Sequence, residues 1–315
     1  MSHRLTPDLK RLAHEQHEAC VNCCYVFKEA DTSHWGYGSS GEPLYVCDKC
    51  SHLLVETARR EYFMVRPYIV PRAEGCLWRY MDFTKFVSLL ATKSLYFPSA
   101  ACFDDIFEGA KGVRTNKAKW DEFYLEHMRH AIRTAPYDPP KPLSDEDVER
   151  DALRLLRELE ASGESSRQHT FISCWHENEH ESEAMWKLYS AYEDYAIAIK
   201  TSYSRLYSAL GRNPDISIGR VKYIDLSARF AGVNDAFWRK RKSFEHEREV
   251  RALIWNGEHT GSGIAMPCDI TQLIASVVVS PKAPAWFVAL VGDVTRTYGF
   301  NFDIMESSLI QEPFF

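Results

Sequence analysis

Residues 77–108, LWRYMDFTKFVSLLATKSLYFPSAACFDDIFE, decide the fold of this chain. The apolar run at their start predicts a β-strand that carries Arg79. Apolar residues then recur at helical spacing behind Asp82, which predicts a helix that Asp82 caps. Residues 95–97 predict a second strand, which ends at Pro98 because proline cannot continue a strand ladder. The stretch therefore predicts a β-α-β unit around which the rest of the chain is arranged.

An acidic turn closes this stretch, and three of its carboxylates alternate with large apolar side chains: Asp104, Asp105 and Glu108. Two interpretations stay open. In the first, the carboxylates cap the following helix and pair with Arg79 or Arg251. In the second, they bind a divalent metal together with Glu247, and the metal activates water for phosphodiester cleavage. The turn is therefore either structural or part of a metal-dependent nuclease.

The composition is that of a globular protein. The chain has 315 residues, of which 45% are hydrophobic and 26% charged, so it can bury one large core or two smaller ones. Its net charge of -6 argues against attraction of the whole surface to nucleic acid. No run approaches the roughly 18 apolar residues of a membrane span, and the N-terminus lacks the apolar centre of a signal peptide. We therefore expect a cytoplasmic protein with no membrane partner.

Four of the nine cysteines form two C-x-x-C pairs, Cys20 with Cys23 and Cys47 with Cys50, separated by 23 residues. In a cytosolic chain of this length, such pairs indicate metal binding rather than disulfides. Four thiolates presented from two tight turns complete the tetrahedral shell of a structural zinc. Cys24 is an alternative to Cys23. The remaining cysteines are expected in the core: Cys76, Cys102, Cys174 and Cys268.

The motifs of this N-terminal segment are CVNC at 20–23, Thr32, Trp35, Gly41 and CDKC at 47–50. Together they resemble a GATA-type or related treble-clef zinc finger. The resemblance implies a module that binds nucleic acid or protein. The segment departs from that family in its longer central interval and in having glycine and tyrosine, instead of arginines, directly after Trp35. A zinc-stapled docking module is therefore an equally open interpretation.

The chain is expected to form two domains. Residues 1–66 would hold the zinc-binding module and a following helix over 53–62, and residues 67–315 would form an α+β effector domain. Within the second domain, residues at about 115–165 predict a helical insertion. Its second helix starts at a capping box formed by Ser144 and Asp147, and Gly163 is expected to end it.

The remainder of the chain interleaves strands and helices. Strands are predicted at 170–175, 195–200, 221–224, 249–255, 274–280 and 300–305, and helices at 181–192 and 284–298. The sequence has neither a regular βαβ rhythm nor a glycine-rich phosphate loop. The fold class is therefore mixed α+β, with a curved or split sheet and flanking helices.

The segment FEHEREVRALI, residues 244–254, carries the candidate active-site carboxylates. Side-chain alternation along a strand places Glu247, Glu249 and Arg251 on one face and the apolar residues on the other. Two carboxylates at this spacing repel each other, which raises at least one pKa unless a cation or a substrate hydroxyl compensates. The alternative is a structural strand whose carboxylates pair with Arg251 or with the basic residues 240–242.

Six motifs occur in order over about residues 76–255: WRY, LYFPSAACFDDIFEG, ISCWH, AMWKLYSAY, YAIAIK and EHEREVRALI. Together they resemble the bacterial domain-of-unknown-function family twenty-nine seventy-one, whose layout is similar to ADP-ribosyltransferase folds. The chain departs from that family at Asp104, where asparagine is usual, and at Ile106, where proline is usual. The resemblance implies an NAD site with an arginine or histidine on an early strand, a serine or aromatic residue on a middle strand and a glutamate on a later strand.

The resemblance also implies roles for individual residues. Arg79 takes the early position and Glu247 or Glu249 the last, and these are the expected catalytic residues. The residues that would bind NAD are Arg79, Tyr80, Ser173, Trp175, Trp186 and Tyr189. Trp186 and Tyr189 alternatively belong to the core, because their helix needs a buried face.

The function implied by this resemblance is that of an NAD-dependent, ADP-ribosyltransferase-like effector of the kind that serves bacteria as a toxin or in phage defence. NAD would be the co-substrate and zinc a structural metal. The target would be a protein or nucleic acid docked through the zinc module. The alternatives are a metal-dependent nuclease and a non-enzymatic, zinc-stapled binding protein.

Overall fold

The computed structural model of the protein describes residues 20, 22–23, 25, 33–37, 43–54, 60–62, 68–134, 143–189, 193–213, 215–229, 231–232 and 235–315. The chain divides into two compact units, each assembled from separate stretches of sequence. The first unit comprises Met1–Ile69, Gly109–Ser166 and Ile224–Phe237. The second comprises Val70–Glu108, Arg167–Tyr223 and Trp238–Phe315.

The described residues contain fourteen strands and seven α-helices. Strands β1 to β14 are Ser33–Tyr37, Pro43–Cys47, Arg60–Tyr62, Cys76–Asp82, Ser94–Pro98, Thr170–Glu177, Ala196–Ser202, Ile216–Arg220, Lys222–Ile224, Arg239–Arg241, Glu249–Trp255, Gly263–Pro267, Ser276–Val279 and Asp303–Glu306. Helices α1 to α7 are Phe83–Thr92, Lys117–Thr134, Asp145–His169, Glu183–Tyr189, Tyr203–Ala209, Ile270–Leu273 and Ala285–Thr297.

A seven-stranded sheet forms the centre of the second unit, in the order β14-β13-β7-β4-β6-β11-β8. Strands β13 and β14 run parallel, and the other neighbours run antiparallel. The middle strand is β4, and both of its faces are covered. Leu77 and Met81 belong to the main hydrophobic core, whereas Trp78 and Tyr80 belong to a smaller cluster on the other face. The expected mixed fold is therefore confirmed, with a mostly antiparallel central sheet.

The sheet is split between β4 and β6. Both strands lie wholly within the described residues, and they pair only at Leu77 with Glu177 and at Trp78 with His176. β4 pairs with β7 along its whole length on its other side. β6 likewise pairs with β11 back to its first residue. Beyond Trp78 the two strands therefore diverge, and a gap opens between the halves of the sheet.

The β-α-β unit predicted at 77–108 is confirmed as β4, α1 and β5. Helix α1 buries Phe86, Leu89 and Leu90. Asp82 occupies the N-cap position, but its side chain makes no capping hydrogen bond, and its carboxylate lies 3.2 Å from the ammonium of Lys85 instead. β5 stays outside the central sheet and pairs antiparallel with β12.

The cysteine-rich part of the first unit contains the antiparallel sheet β2-β1-β3. The predicted helix over 53–62 is wrong at its end, because Arg60–Tyr62 form β3. The reason is tertiary: β3 pairs with the free edge of β1, and a third strand stabilises a sheet that two short strands leave marginal. Residues 55–59 lie outside the described part of the chain.

Within the first unit, helix α2 and the part of α3 up to Ser166 share a hydrophobic cluster built on Ile132, Val148 and Ala152. The predicted capping box is confirmed, since the backbone N–H of Asp147 donates to the hydroxyl of Ser144 at 3.1 Å. The predicted end at Gly163 is wrong. Helix α3 passes through this glycine and ends at His169, at the start of β6.

Most of the other predicted elements are confirmed within a few residues, namely β6, β7, β9, β11, β13, β14, α4 and α7. The sequence pattern missed five short strands, β1, β2, β8, β10 and β12, and the two short helices α5 and α6. Strand β12 is half-exposed along its length and pairs with β5 outside the central sheet, so it lacks the apolar alternation of a strand with one buried face. No helix in the described part of the chain combines the length and the apolar character that crossing a membrane requires.

Strand β5 offers a test of this packing, because its side chains alternate between core and surface. Phe97 is fully buried, whereas Tyr96 is 48% exposed. We expect Phe97→Ala to lower the free energy of unfolding by about 3–5 kcal/mol, because it leaves a cavity in the core. The matched variant Tyr96→Ala should cost less than about 1 kcal/mol. Urea unfolding measures both values, and equal losses would contradict the register of β5.

Candidate functional site

A cavity of about 600 Å³ lies in the second unit, where β4 and β6 separate. β4 contributes Arg79 and Tyr80, and β6 contributes Cys174, Trp175 and His176. The other polar and aromatic residues around it include Tyr96, Phe103, Tyr189, Glu247 and Glu249. The cavity therefore brings together six of the eight residues predicted for catalysis or NAD binding, and the two that do not line it are Ser173 and Trp186.

Arg79 is the cation on one side of this cavity. One guanidinium N–H donates to the hydroxyl of Ser173, and another donates to the backbone carbonyl of Tyr96 at 3.3 Å. The guanidinium carbon also lies 5.6 Å from the ring centroid of Trp175. Among the described residues, no carboxylate pairs with Arg79. Burial lowers the pKa of Arg79, so the site holds a partly desolvated positive charge without an anionic partner.

Arg251 organises the opposite side of the site and is fully buried. Its guanidinium donates to both carboxylate oxygens of Glu108, at 2.5 and 2.8 Å. It also donates to both oxygens of Glu249, at 2.9 and 3.1 Å. The two carboxylates raise the pKa of Arg251 against the effect of burial. One arginine therefore joins the acidic turn to β11 through two bidentate ion pairs.

The strand prediction for the carboxylates is correct for Glu249 and wrong for Glu247. β11 begins at Glu249, because Arg248 adopts a left-handed conformation with φ of 42°. Glu247 ends the preceding 3₁₀ turn, Lys242–Glu247, and still reaches the cavity. Lys240 donates to Glu247, and its ammonium lies 3.6 Å from Glu249. Of the basic residues 240–242 expected to pair with these carboxylates, Lys240 is the one that does so.

Formal charges leave this cluster acidic. Three buried carboxylates, on Glu108, Glu247 and Glu249, face two cations, Lys240 and Arg251. These five described groups therefore carry one negative charge in excess. Because Glu249 is held bidentately by Arg251, Glu247 is the carboxylate with more freedom to meet a ligand.

The predicted NAD-binding residues fall into two groups. Tyr80 and Tyr189 line the cavity, and Tyr189 exposes 43% of its surface. Burial of the Tyr189 hydroxyl, together with the charges of Glu247 and Glu249, raises its pKa, so the phenol stays protonated. Ser173 is fully buried behind the cavity, where it holds Arg79 and accepts from the indole of Trp175 at 3.2 Å. Trp186 belongs to the core cluster and packs edge-on to Tyr80.

His176 is one of the cavity residues to which the sequence pattern assigned no role. An isolated histidine next to a strand end is expected to be exposed, but His176 is only 5% exposed. The register explains this burial, because His176 is flanked by Trp78 on one neighbouring strand and Glu249 on the other. Only the three-strand pairing reveals that position, so no local signal could have identified it.

Of the two interpretations of the acidic turn, arginine pairing and metal binding, the structure favours arginine pairing. Asp105 accepts from Arg241 at 2.8 Å, and Glu108 accepts from Arg251. Asp104 is exposed. Within the described residues, the only group of three or more potential metal ligands is formed by cysteines, so the turn does not combine with Glu247 into a metal site. Arginine pairing therefore accounts for the two buried carboxylates of this turn.

The first unit holds the cysteine cluster. The sulfur atoms of Cys20, Cys23, Cys47 and Cys50 all lie within 4.8 Å of one another, and those of Cys23 and Cys47 are 3.7 Å apart. Four thiolates around one zinc, with Zn–S bonds of about 2.3 Å, place their sulfurs about 3.8 Å apart. The cluster therefore has the dimensions of a four-thiolate metal site. The alternative ligand Cys24 lies outside the described residues.

The surroundings of the cluster also suit a metal. Burial raises the pKa of Cys20, but backbone hydrogen bonds at Cys23, Cys47 and Asn22 outweigh this effect and bring the pKa to about 6. Cys20 is therefore mostly thiolate at neutral pH, which is the form that binds metals. At Cys23 a backbone hydrogen bond near Tyr25 lowers the pKa, but the neighbouring thiols raise it by more, and the pKa of Cys50 is raised as well, so a metal would displace protons from these two thiols. The neighbouring His34 interacts with Asp48. Of the four cysteines expected in the core, Cys102 is exposed, so that prediction is wrong for this residue.

Comparison with known proteins gives limited information. No family model matches the chain, and no curated protein matches it. The resemblances to family twenty-nine seventy-one and to treble-clef fingers therefore stay predictions. Among solved structures, the chain is similar to Thermus sp. 2.9 DarT in complex with carba-NAD+, at 8% sequence identity and a TM-score of 0.33, over 75% of this chain and 97% of that chain. Values this low carry no inference about function.

The Arg251 cluster generates a prediction for stability. Arg251→Met keeps much of the side-chain volume but leaves Glu108 and Glu249 buried without their cation. We expect a loss of about 3–5 kcal/mol in the free energy of unfolding at neutral pH. The variant Arg248→Met removes an exposed arginine from the same segment and should cost less than about 1 kcal/mol.

The loss should depend on pH. Burial raises the pKa of Glu249, but Arg251 and Lys240 lower it further, so the folded-state value is depressed. A depressed carboxylate pKa stabilises the fold above the ordinary glutamate value, and this stabilisation is lost as the pH falls through the folded value. Without Arg251, Glu249 takes up a proton more readily. The deficit of Arg251→Met should therefore be larger at about pH 8 than at about pH 5, and a pH-independent deficit in urea unfolding would contradict this origin.

Proposed function

We propose that this protein is an NAD-dependent, ADP-ribosyltransferase-like enzyme and that the cavity between β4 and β6 is its active site. The observation that carries the proposal is the placement of an unpaired cation, Arg79, and an acidic group, Glu247, on one cavity. NAD carries both an anionic pyrophosphate and a positively charged nicotinamide ribosyl centre, so it needs such a division of charge. The aromatic residues Tyr80, Trp175 and Tyr189 supply flat surfaces for its rings.

Arg79 would bind a phosphate or ribose oxygen. A guanidinium forks onto such oxygens with two parallel hydrogen bonds, and a desolvated guanidinium does so more strongly than an exposed one. Its hydrogen bonds to Ser173 and Tyr96 hold it in place, but both partners are neutral and do not compensate its charge. The position and orientation of the guanidinium are therefore fixed before a ligand binds.

Glu247 would stabilise the reaction centre. When the bond between nicotinamide and ribose breaks, the bonding electrons leave with neutral nicotinamide, and the ribose becomes an oxocarbenium-like cation. A carboxylate beside the ribose stabilises that cation. The acceptor then adds to the ribose carbon and loses a proton. Lys240 hydrogen-bonds with Glu247 and orients it, whereas Glu249 is fixed by Arg251 and serves to position the strand.

The sequence left two alternative functions open, a metal-dependent nuclease and a non-enzymatic binding protein. A metal-dependent nuclease needs carboxylates grouped for a metal, but Asp105 and Glu108 pair with arginines instead, and the described residues contain no carboxylate group of this kind. A purely structural role of the acidic strand would not require an unpaired arginine beside it. The enzymatic proposal therefore has the stronger physical support. A toxin or phage-defence role, with a protein or nucleic acid as target, belongs to the same proposal.

We further propose that the four-cysteine cluster binds one zinc ion and that this module docks the target. The thiol set matches the ligand preference of zinc, and closed four-cysteine sites are structural rather than catalytic. The metal would fix the turn containing Cys20 and Cys23 to the end of β2, where Cys47 and Cys50 follow. It would thereby stabilise a segment with a small hydrophobic core.

The catalytic proposal predicts that purified protein, incubated with NAD and cell extract, releases nicotinamide and labels a macromolecule with ADP-ribose. Glu247→Gln should lower the rate by about 100-fold or more, because it removes the charge that stabilises the transition state. Chromatography of nicotinamide and labelled NAD measure both events. Glu245→Gln is the matched control, since this neighbouring carboxylate is exposed and lies away from the cavity.

The contrary results are specific. If calorimetry detects no NAD binding and no nicotinamide is released with any extract, the enzymatic proposal is wrong. Cleavage of RNA or DNA that stops on addition of a chelator would support the nuclease instead. If folded Glu247→Gln keeps full activity, the assignment of the carboxylate is wrong.

The zinc proposal predicts about one zinc per chain by elemental analysis. Cys47→Ser should lose the metal and lower the thermal stability of the first unit, because the site then lacks one of its four ligands. Cys102→Ser is the control, since this exposed cysteine is far along the chain from the cluster and should leave the zinc content unchanged. A zinc content well below one per chain in the unmodified protein would count against the site.

A further inference from the structure

His176 has a fixed tautomer. Its Nδ1 lies 2.6 Å from the backbone carbonyl oxygen of Glu247. A carbonyl oxygen can only accept a hydrogen bond, so Nδ1 carries the proton and donates. In a neutral ring the other nitrogen, Nε2, is then an acceptor. The backbone of the proposed catalytic residue therefore sets which nitrogen of His176 is available.

That available nitrogen has no partner. Nε2 of His176 is buried, and no group in the described part of the chain forms a hydrogen bond with it. Buried polar atoms without a partner are rare in proteins because burial removes them from water. His176 is also one of the residues that line the cavity. The orphaned acceptor therefore belongs to the same site as Glu247 and Arg79.

The ring is neutral at ordinary pH, as the acceptor role requires. Burial lowers the pKa of His176, and the charges of Arg248 and His246 act in the same direction. The carbonyl of Glu247 and the charge of Glu177 oppose this effect without reversing it. The edge of the ring packs against Tyr80, with ring centroids 6.3 Å apart, so its orientation is fixed on that side as well.

We propose that His176 is a specificity-determining residue whose Nε2 accepts a hydrogen bond from an N–H or O–H group of the bound dinucleotide. The inference rests on the proposed function, because it names a contact of NAD in the same cavity. The donor is either the carboxamide of nicotinamide or a ribose hydroxyl, which share this chemistry. A ligand without the donor leaves Nε2 unpaired and is bound more weakly.

Two substitutions separate the two ring nitrogens. Asparagine in place of His176 keeps an N–H near the position of Nδ1 but has no atom at the position of Nε2. Glutamine reaches the position of Nε2 with an acceptor oxygen. We expect His176→Asn to weaken NAD binding about tenfold, and His176→Gln to retain most of the affinity. Isothermal titration calorimetry with NAD measures both, and thermal unfolding verifies that both variants are folded.

The same titrations with nicotinamide and with ADP-ribose identify the donor. If the asparagine substitution weakens the binding of nicotinamide, the carboxamide is the donor. If it weakens the binding of ADP-ribose, a ribose hydroxyl is the donor. His246→Asn is the control, because this histidine is exposed and does not line the cavity. It should leave all three affinities unchanged.

The failures are distinguishable. If the unmodified protein binds no NAD, both the proposed function and the role of His176 are overturned. If the unmodified protein binds NAD and folded His176→Asn binds it equally well, only the role of His176 is overturned. Equal losses in the asparagine and glutamine variants would also overturn it, because they would indicate a steric role of the ring rather than an acceptor at Nε2.

Discussion

The buried guanidinium of Arg251 is the constraint on which the site depends. It has no exposed surface, and its hydrogen bonds to Glu108 and Glu249 tie the acidic turn to β11. Burying three charges costs desolvation energy that replacement by apolar residues would avoid. Such a cluster is therefore weak evidence for stability. Its geometric effect is clearer, because Glu249 can hardly move while Arg251 holds both of its oxygens.

This fixed pair leaves Glu247 in a distinct position. Lys240 neutralises only one carboxylate of the remaining acidic group, so a negative charge persists beside the cavity. Arg79 carries the complementary charge, yet in the described part of the chain it hydrogen-bonds only with neutral groups. If stability alone determined the arrangement, the arginine and the spare carboxylate would pair with each other. Keeping them apart across a cavity is useful for a ligand that carries both signs of charge.

The sequence was sufficient to predict those elements whose apolar residues recur with the period of a strand or a helix. Strand β4 and helix α1 were predicted because apolar residues recur with the period of each element, and the capping box at Ser144 was predicted from two residues. The prediction failed where tertiary pairing decides. Arg60–Tyr62 form a strand because they pair with β1. Glu247 does not belong to β11, because the left-handed conformation of Arg248 interrupts the extended backbone. His176 was missed because its burial comes from two neighbouring strands that are distant in sequence.

The split of the sheet explains why strand periodicity could not assemble the site. From the pairing of Trp78 with His176 and of His176 with Glu249, these three residues share one face. Arg79 follows Trp78 and therefore points to the other face, on the side of Ser173. In a continuous sheet the hydrogen-bonded backbone would separate Arg79 from Glu249. Because β4 and β6 pair only at their ends, the gap joins the two faces, and residues that alternation places apart line one cavity.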